Sequence, residues 1–313
     1  MTGSSRRTVS DRLGLAETSA TEWLLCALIL ELTMLLLLGM WYAVQPSSGM
    51  IGRAAPVQFI GTSSTNTSGT NLLRTYVLIN PTHLDRLLNK VGLSQWSPTV
   101  KDQSSASEFS SDVRTSMVLG ASVAYEQVHP DTPKMPVVTP GADGTVPAPF
   151  EVGDVLLPSD VSAPPRVHRH GRDVVLPSTE AVPEVTLLAE VDPPSPVMEE
   201  GMTGTSGGLM LALGYVDLFS PGPLAVFKVG GSAVINADGS LDPVAGLEYK
   251  MAAAADEGAK MFLLPDFQTT PQLYSLAQAR GIKLVPVRSL QDAVNVLCAT
   301  GGKDQICETR SAL

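Results

Sequence analysis

The chain has 313 residues, 44% hydrophobic and 17% charged, with 31 acidic against 21 basic side chains and a net charge of -10. That length allows about two domains at roughly 150 residues each. The acidic balance argues against a nucleic-acid partner, because there is no basic excess to neutralise phosphates, and three cysteines are too few for a disulfide framework.

Residues 1–22 form a short N-terminal segment carrying Arg6, Arg7 and Arg12. Residues 23–44 follow as an apolar run with one charge, Glu31. A helix of that length spans the roughly 30 Å hydrocarbon core of a bilayer. Trp23 at one end and Trp41-Tyr42 at the other suit the two interfaces. A secretory signal would have an apolar core of only about 7 to 15 residues, so the run reads as an uncleaved transmembrane helix. Three arginines precede it and Arg53 alone lies close behind, which places the N-terminus in the cytoplasm and the rest outside the cell membrane. Glu31 is either a helix–helix contact or a passenger that the surrounding leucines tolerate.

Residues 45–129 read as a tether followed by the first elements of the outer region. The Ser-, Thr-, Gly- and Asn-rich stretch 45–72 is the tether. Leu73–Ile79 alternates like a strand, 81–91 suits a short amphipathic helix, and 111–128 carries Val113, Met117, Ala121 and Ala124 at helical spacing. From 130 to 196 there are 14 prolines in 67 residues, a density that excludes long helices and central strands. Apolar runs at 150–157, 173–176 and 185–189 predict a small, loop-rich β module there.

Beyond residue 198 strands and helices alternate. Helices are expected at 206–218, 247–259, 271–280 and 289–297, and strands at 224–235, 260–264 and 282–287, with a turn at Asp238-Gly239. The class is α+β. Cys298 and Cys307 either form a disulfide or remain two thiols in a frayed tail.

Gly204-Thr-Ser-Gly-Gly208 is the most informative peptide. Flanking glycines allow close backbone approach and strained angles, and the following helix aims its N-terminal amides at Ser206. Ser206 is therefore a candidate nucleophile or a plain helix cap. The peptide fits the nucleophile elbow of the α/β-hydrolases, which need a histidine after the serine. His83, His129, His168 and His170 all precede it, and none has a catalytic or metal-binding context. A lysine is then the remaining base. Of Lys228, Lys250, Lys260, Lys283 and Lys303, which follow Ser206, Lys250 shares a helix face with Leu247, Ala253 and Ala254; it is either buried there, with its pKa lowered into the range of a proton acceptor, or an ordinary lysine on a solvated helix face.

Four segments together resemble the proteolytic domain of the Lon family, in its membrane-anchored, ATPase-free branch that carries a PDZ insert. They are Thr203–Leu213, Val229–Leu241, Pro243–Lys250 and Glu257–Pro265, in that order, with Lys250 44 positions after Ser206. The resemblance covers about 198–298. It implies a Lon proteolytic-domain fold over 198–313 and a Ser206–Lys250 dyad that hydrolyses unfolded or extended protein or peptide substrates through an acyl-enzyme. No metal or other cofactor is implied, and no Walker A motif occurs. It also implies a homo-oligomer, a hexamer in ring form. Phe150–Leu157 is similar to a PDZ strand, which makes 130–197 a shortened, divergent PDZ-like insert, with a non-PDZ linker module as the alternative. Thr205, Gly207 and Ala245 depart from the family pattern. All three are small enough to keep the loop's shape, yet they leave room for a catalytically impaired homologue that serves as a membrane scaffold or binding protein.

Overall fold

A computed structural model describes residues 20–45, 50–59, 71–79, 81–90, 102–103, 111–141, 144–158, 163–199 and 204–311. Helix α1, Ala20–Ala43, is predominantly apolar, with Glu22 and Glu31 as its charged residues, and is exposed from Leu24 to Tyr42. Its 20-residue window Leu24–Ala43 is long and apolar enough to cross a membrane. Strand β1 (Met50–Pro56) pairs antiparallel with β2 (Leu72–Ile79), from Met50↔Ile79 to Pro56↔Leu73. The tether expected over 45–72 is thus corrected at 50–59: these residues join the fold, with Val57 buried and Phe59 bridging Pro196. Residues 60–70 lie outside the described residues.

Helix α2 (His83–Lys90) follows, then the two-residue β3 (Asp102–Gln103) and α3 (Ser111–Val128). The insert contributes β4 (Lys134–Thr139), β5 (Val155–Leu157), β6 (Arg166–Arg169), β7 (Arg172–Val175) and β8 (Glu184–Ala189). They form one antiparallel sheet in the order β7-β6-β5-β4-β8. The proline density did not prevent this, because among the 14 prolines of 130–196 only Pro136 falls inside one of these five strands and the others fall in turns and connections.

Strand β9 (Met198–Glu199) pairs with β3 and leads to α4 (Gly208–Phe219). After it come β10 (Val229–Gly231), the hairpin β11 (Val234–Ile235) and β12 (Leu241–Asp242), and α5 (Leu247–Asp256). The chain continues through β13 (Met261–Pro265), α6 (Pro271–Ala279), β14 (Lys283–Val287), α7 (Leu290–Ala299) and α8 (Gln305–Ser311). Thr270 and Ser289 cap α6 and α7 by accepting from Leu273 N and Asp292 N. Of the two alternatives for the C-terminal cysteines the disulfide is found: Cys298 and Cys307 pair with their Cα atoms 5.2 Å apart, and Cys307 lies in helix α8.

The main sheet runs β1-β2-β10-β13-β14, parallel except at β1–β2. It is a buried middle layer, so β13 is apolar throughout, as a strand covered on both faces must be. Leu72, Val229, Met261 and Leu263 join the core beneath α3, α4 and α7, whereas Leu73, Phe262 and Leu264 join the core beneath α5 and α6. The fold around the main sheet is therefore discontinuous in sequence: β1, β2 and α3 belong to the same layers as residues 204–311.

Two glycines in β10 set how closely the helices approach. A Cβ on Gly230 would sit 2.6 Å from Ala254 Cβ of α5, and one on Gly231 would sit 2.6 Å from Met210 Sδ of α4. Alternate residues of a strand face opposite sides, so this pair lets one helix press on each face of the same strand.

Candidate functional site

The two helices pressed against β10 bring Ser206 and Lys250 to the end of that strand. Ser206 lies in the turn before α4, whose geometry starts at Gly204, with φ +86° in the region glycine favours. Thr205 O accepts Gly208 N at 3.0 Å and Ser116 Oγ of α3 at 3.3 Å, which ties the turn to both helices. Leu209 N donates to Ala233 O at 3.2 Å. A Cβ on Gly208 would fall 2.9 Å from Ile235 Cγ2, so the turn sits hard against the β11 hairpin. Around Gly207 there is open space, which an alanine would fit.

Lys250 is carried by α5, whose N-cap Gly246 is left-handed at φ +69°. Its side chain is 2% exposed, as the shared face with Leu247, Ala253 and Ala254 requires. Burial alone lowers its pKa from 10.5 to about 8, because the low-polarity surroundings disfavour the ammonium. Lys250 Nζ donates to Ser232 Oγ at 3.1 Å, and Ser232 Oγ donates to Ser206 O at 2.9 Å. Ser232 is fully buried just beyond β10, its own N–H held by Leu263 O at 3.1 Å. The two residues selected from the sequence are therefore joined through a third. Among the described residues no hydrogen bond involves Ser206 Oγ itself.

Ser232 escaped the sequence reading. Its only signal is a hydroxyl placed directly after a Gly-Gly pair, which looks the same as an ordinary turn serine. A buried lysine with no carboxylate partner among the described residues is costly to keep as a structural element. Desolvated on α5 and bridged by Ser232 to the turn before α4, it is a candidate functional group.

The histidines are elsewhere. His83 stacks on Tyr42, His129 packs on Tyr125, and His168 and His170 occupy the β6–β7 hairpin, where His168 Nδ1 lies 2.8 Å from Asp173 Oδ1. That hydrogen bond raises the His168 pKa. Among the described residues no group of three or more His, Cys, Asp or Glu could hold a metal ion. A cavity of about 560 Å³ between α3 and the insert is lined by Arg114, Glu151, His168, Arg169 and Glu190, among others, and holds neither Ser206 nor Lys250. Three of its lining residues are bonded to one another, since Arg169 forks onto Asp154 at 2.6 and 2.5 Å and reaches Glu151 at 2.8 Å.

No protein-family model matches the chain, and no curated protein matches it.

Proposed function

We propose that the chain is a membrane-anchored, ATP-independent serine endopeptidase of Lon-like type, with Ser206 as nucleophile and Lys250 as general base. The observation that carries this reading is the buried Lys250, its pKa lowered to about 8, linked through Ser232 to the backbone of Ser206. In the neutral form its nitrogen lone pair takes the Ser206 Oγ proton as Oγ attacks a peptide carbonyl. The oxyanion forms at the N-terminus of α4, where amides and the helix dipole favour negative charge. The ammonium then returns its proton to the leaving amine, and water hydrolyses the acyl-enzyme by the reverse sequence. Substrates are loosely folded or extended chains, and assembly is homo-oligomeric, hexameric in ring form. The antiparallel insert is the PDZ-like element of this reading.

The anchor is α1, with the N-terminus cytoplasmic and the site outside. Arg6, Arg7 and Arg12 ahead of the span support that orientation. So does the Cys298–Cys307 disulfide, which persists in oxidising compartments.

The second reading, a catalytically impaired scaffold, is favoured by one observation: Lys250 Nζ is bonded to Ser232 rather than to Ser206 Oγ. A fluorophosphonate probe separates the two. Labelling of wild type that is lost in Ser206→Ala and in Lys250→Met supports the peptidase. A folded wild type that takes no label leaves the scaffold.

A further inference from the structure

The membrane-proximal surface of the domain is defined by how α1 meets α2. Trp41 and Tyr42 end the span and, as amphipathic rings, sit at headgroup level. The Tyr42 ring stacks on His83 with centroids 4.2 Å apart and planes at 19°, and His83 N donates to Gln45 O at 3.2 Å. The first turn of α2 is thereby held at the level of the span's aromatic end.

Helix α2 has a firm start and one uncovered side. Thr82 and Asp85 form a reciprocal cap: Asp85 Oδ2 accepts from Thr82 N at 2.8 Å and Thr82 Oγ1 accepts from Asp85 N at 3.1 Å. Leu84 and Leu88 are half-buried, while Leu87 is 57% exposed. Leu87 lies four residues after His83, so it shares the helix face that meets Tyr42. The face nearest the membrane thus carries an apolar side chain that nothing among the described residues covers. Met50, at the start of β1, is a further exposed apolar residue only five positions past Gln45.

We infer that α2 is an interfacial helix, with Leu87 inserted into the headgroup–acyl boundary of the bilayer that α1 spans. The occupant is lipid because the uncovered face continues the surface that Trp41 and Tyr42 assign to the membrane. Short amphipathic helices dock this way, burying one apolar side about 5–10 Å below the headgroups. Two attachment points, the span and α2, fix the tilt of the domain and therefore the height at which the Ser206 turn stands above the membrane. This inference rests on the proposed membrane anchoring of α1.

The test uses the full chain reconstituted into phosphatidylcholine vesicles, with Cys26→Ser removing the free thiol. An environment-sensitive fluorophore is attached at Leu87→Cys or, in a separate protein, at Leu35→Cys within the span. Leu87 is exposed, so its substitution leaves the core untouched. Expected at position 87 are blue-shifted emission, protection from aqueous iodide, and quenching stronger with shallow than with deep brominated acyl chains. Position 35 should be quenched most by the deep ones. Iodide quenching at 87 with no effect of brominated lipid, while 35 is lipid-quenched, overturns the interfacial helix and leaves the anchor standing. Protection from both quenchers at 87 means a protein covers it, which also overturns the inference. Absence of lipid quenching at 35 removes the anchor and the inference together.

Discussion

The lowered pKa of Lys250 makes reactivity and stability move together with pH. Burial brings the group from 10.5 to about 8. At pH 8 about half of the buried amines are neutral, against roughly 0.3% for an ordinary lysine, a gain of about 150-fold in available base from a shift worth 1.36 kcal/mol per unit. The rate of fluorophosphonate labelling of Ser206 should therefore rise with pH, with a midpoint near 8, and level off by about pH 9. The same burial opposes folding. Below the folded-state pKa the chain must bury an ammonium that the unfolded state keeps solvated, at a cost of about 3 kcal/mol. Between about 8 and 10.5 the unfolded state holds more protons, so stability rises with pH in that window. Lys250→Met should thus be inert to the probe yet more stable than wild type, most clearly below pH 8, by up to about 3 kcal/mol. Its advantage should disappear above about 10.5. Labelling rates paired with urea unfolding across pH 6 to 11 measure both arms. A rate that climbs without a plateau to pH 11, together with a Lys250→Met protein less stable than wild type at pH 7, would refute the reasoning.

Four other outcomes are expected. Ser206→Ala should abolish labelling while changing unfolding free energy by no more than about 0.5 kcal/mol, since its half-buried hydroxyl makes no hydrogen bond among the described residues. Ser232→Ala should lower the labelling rate about 100-fold by freeing the lysine and the turn from each other, and should cost about 1–3 kcal/mol; Ser232→Thr should restore much of both. Gly231→Ala should destabilise by about 1–3 kcal/mol in chemical denaturation, because its Cβ would meet Met210 Sδ at 2.6 Å. Reducing the Cys298–Cys307 disulfide, which closes a loop across a sequence separation of 9, should cost about 2.5 kcal/mol on the chain-entropy account and lower the Tm in reductant.

What the sequence reveals depends on how local the cause is. The periodic segments at 72–79, 111–128 and 271–299 are legible because each buries a face set by its own spacing. Strand β1 is not, since Gly52, Ala54, Ala55 and Pro56 resemble a linker. Gly52 is there because a Cβ would lie 1.9 Å from Tyr249 O, a demand made by a helix two hundred residues away. Strand β4 is hidden by Pro133 and Pro136, although its pairing with β8 is among the longest ladders. Ser206 and Lys250 are singled out by local signals, a glycine-rich helix start and a lysine on an apolar face. Ser232 acquires meaning only when β10 ends between them.

The Gly230–Gly231 pair links that hidden residue to the architecture. A strand with ordinary side chains at both positions would push α5 and α4 outward by the depth of a side chain on each face. The Lys250 amine and the Ser206 turn would then separate along opposite normals to the sheet, and no single hydroxyl could reach both. With glycines, the helices close on the strand until one serine at its end accepts from Nζ at 3.1 Å and donates to Ser206 O at 2.9 Å. The closure also removes water from around the ammonium, and that burial lowers its pKa. Close packing, the serine bridge and the lowered pKa of the lysine thus follow from one choice at two adjacent positions. Enlarging Gly230 should raise the labelling midpoint toward the ordinary lysine range even in a protein that still folds.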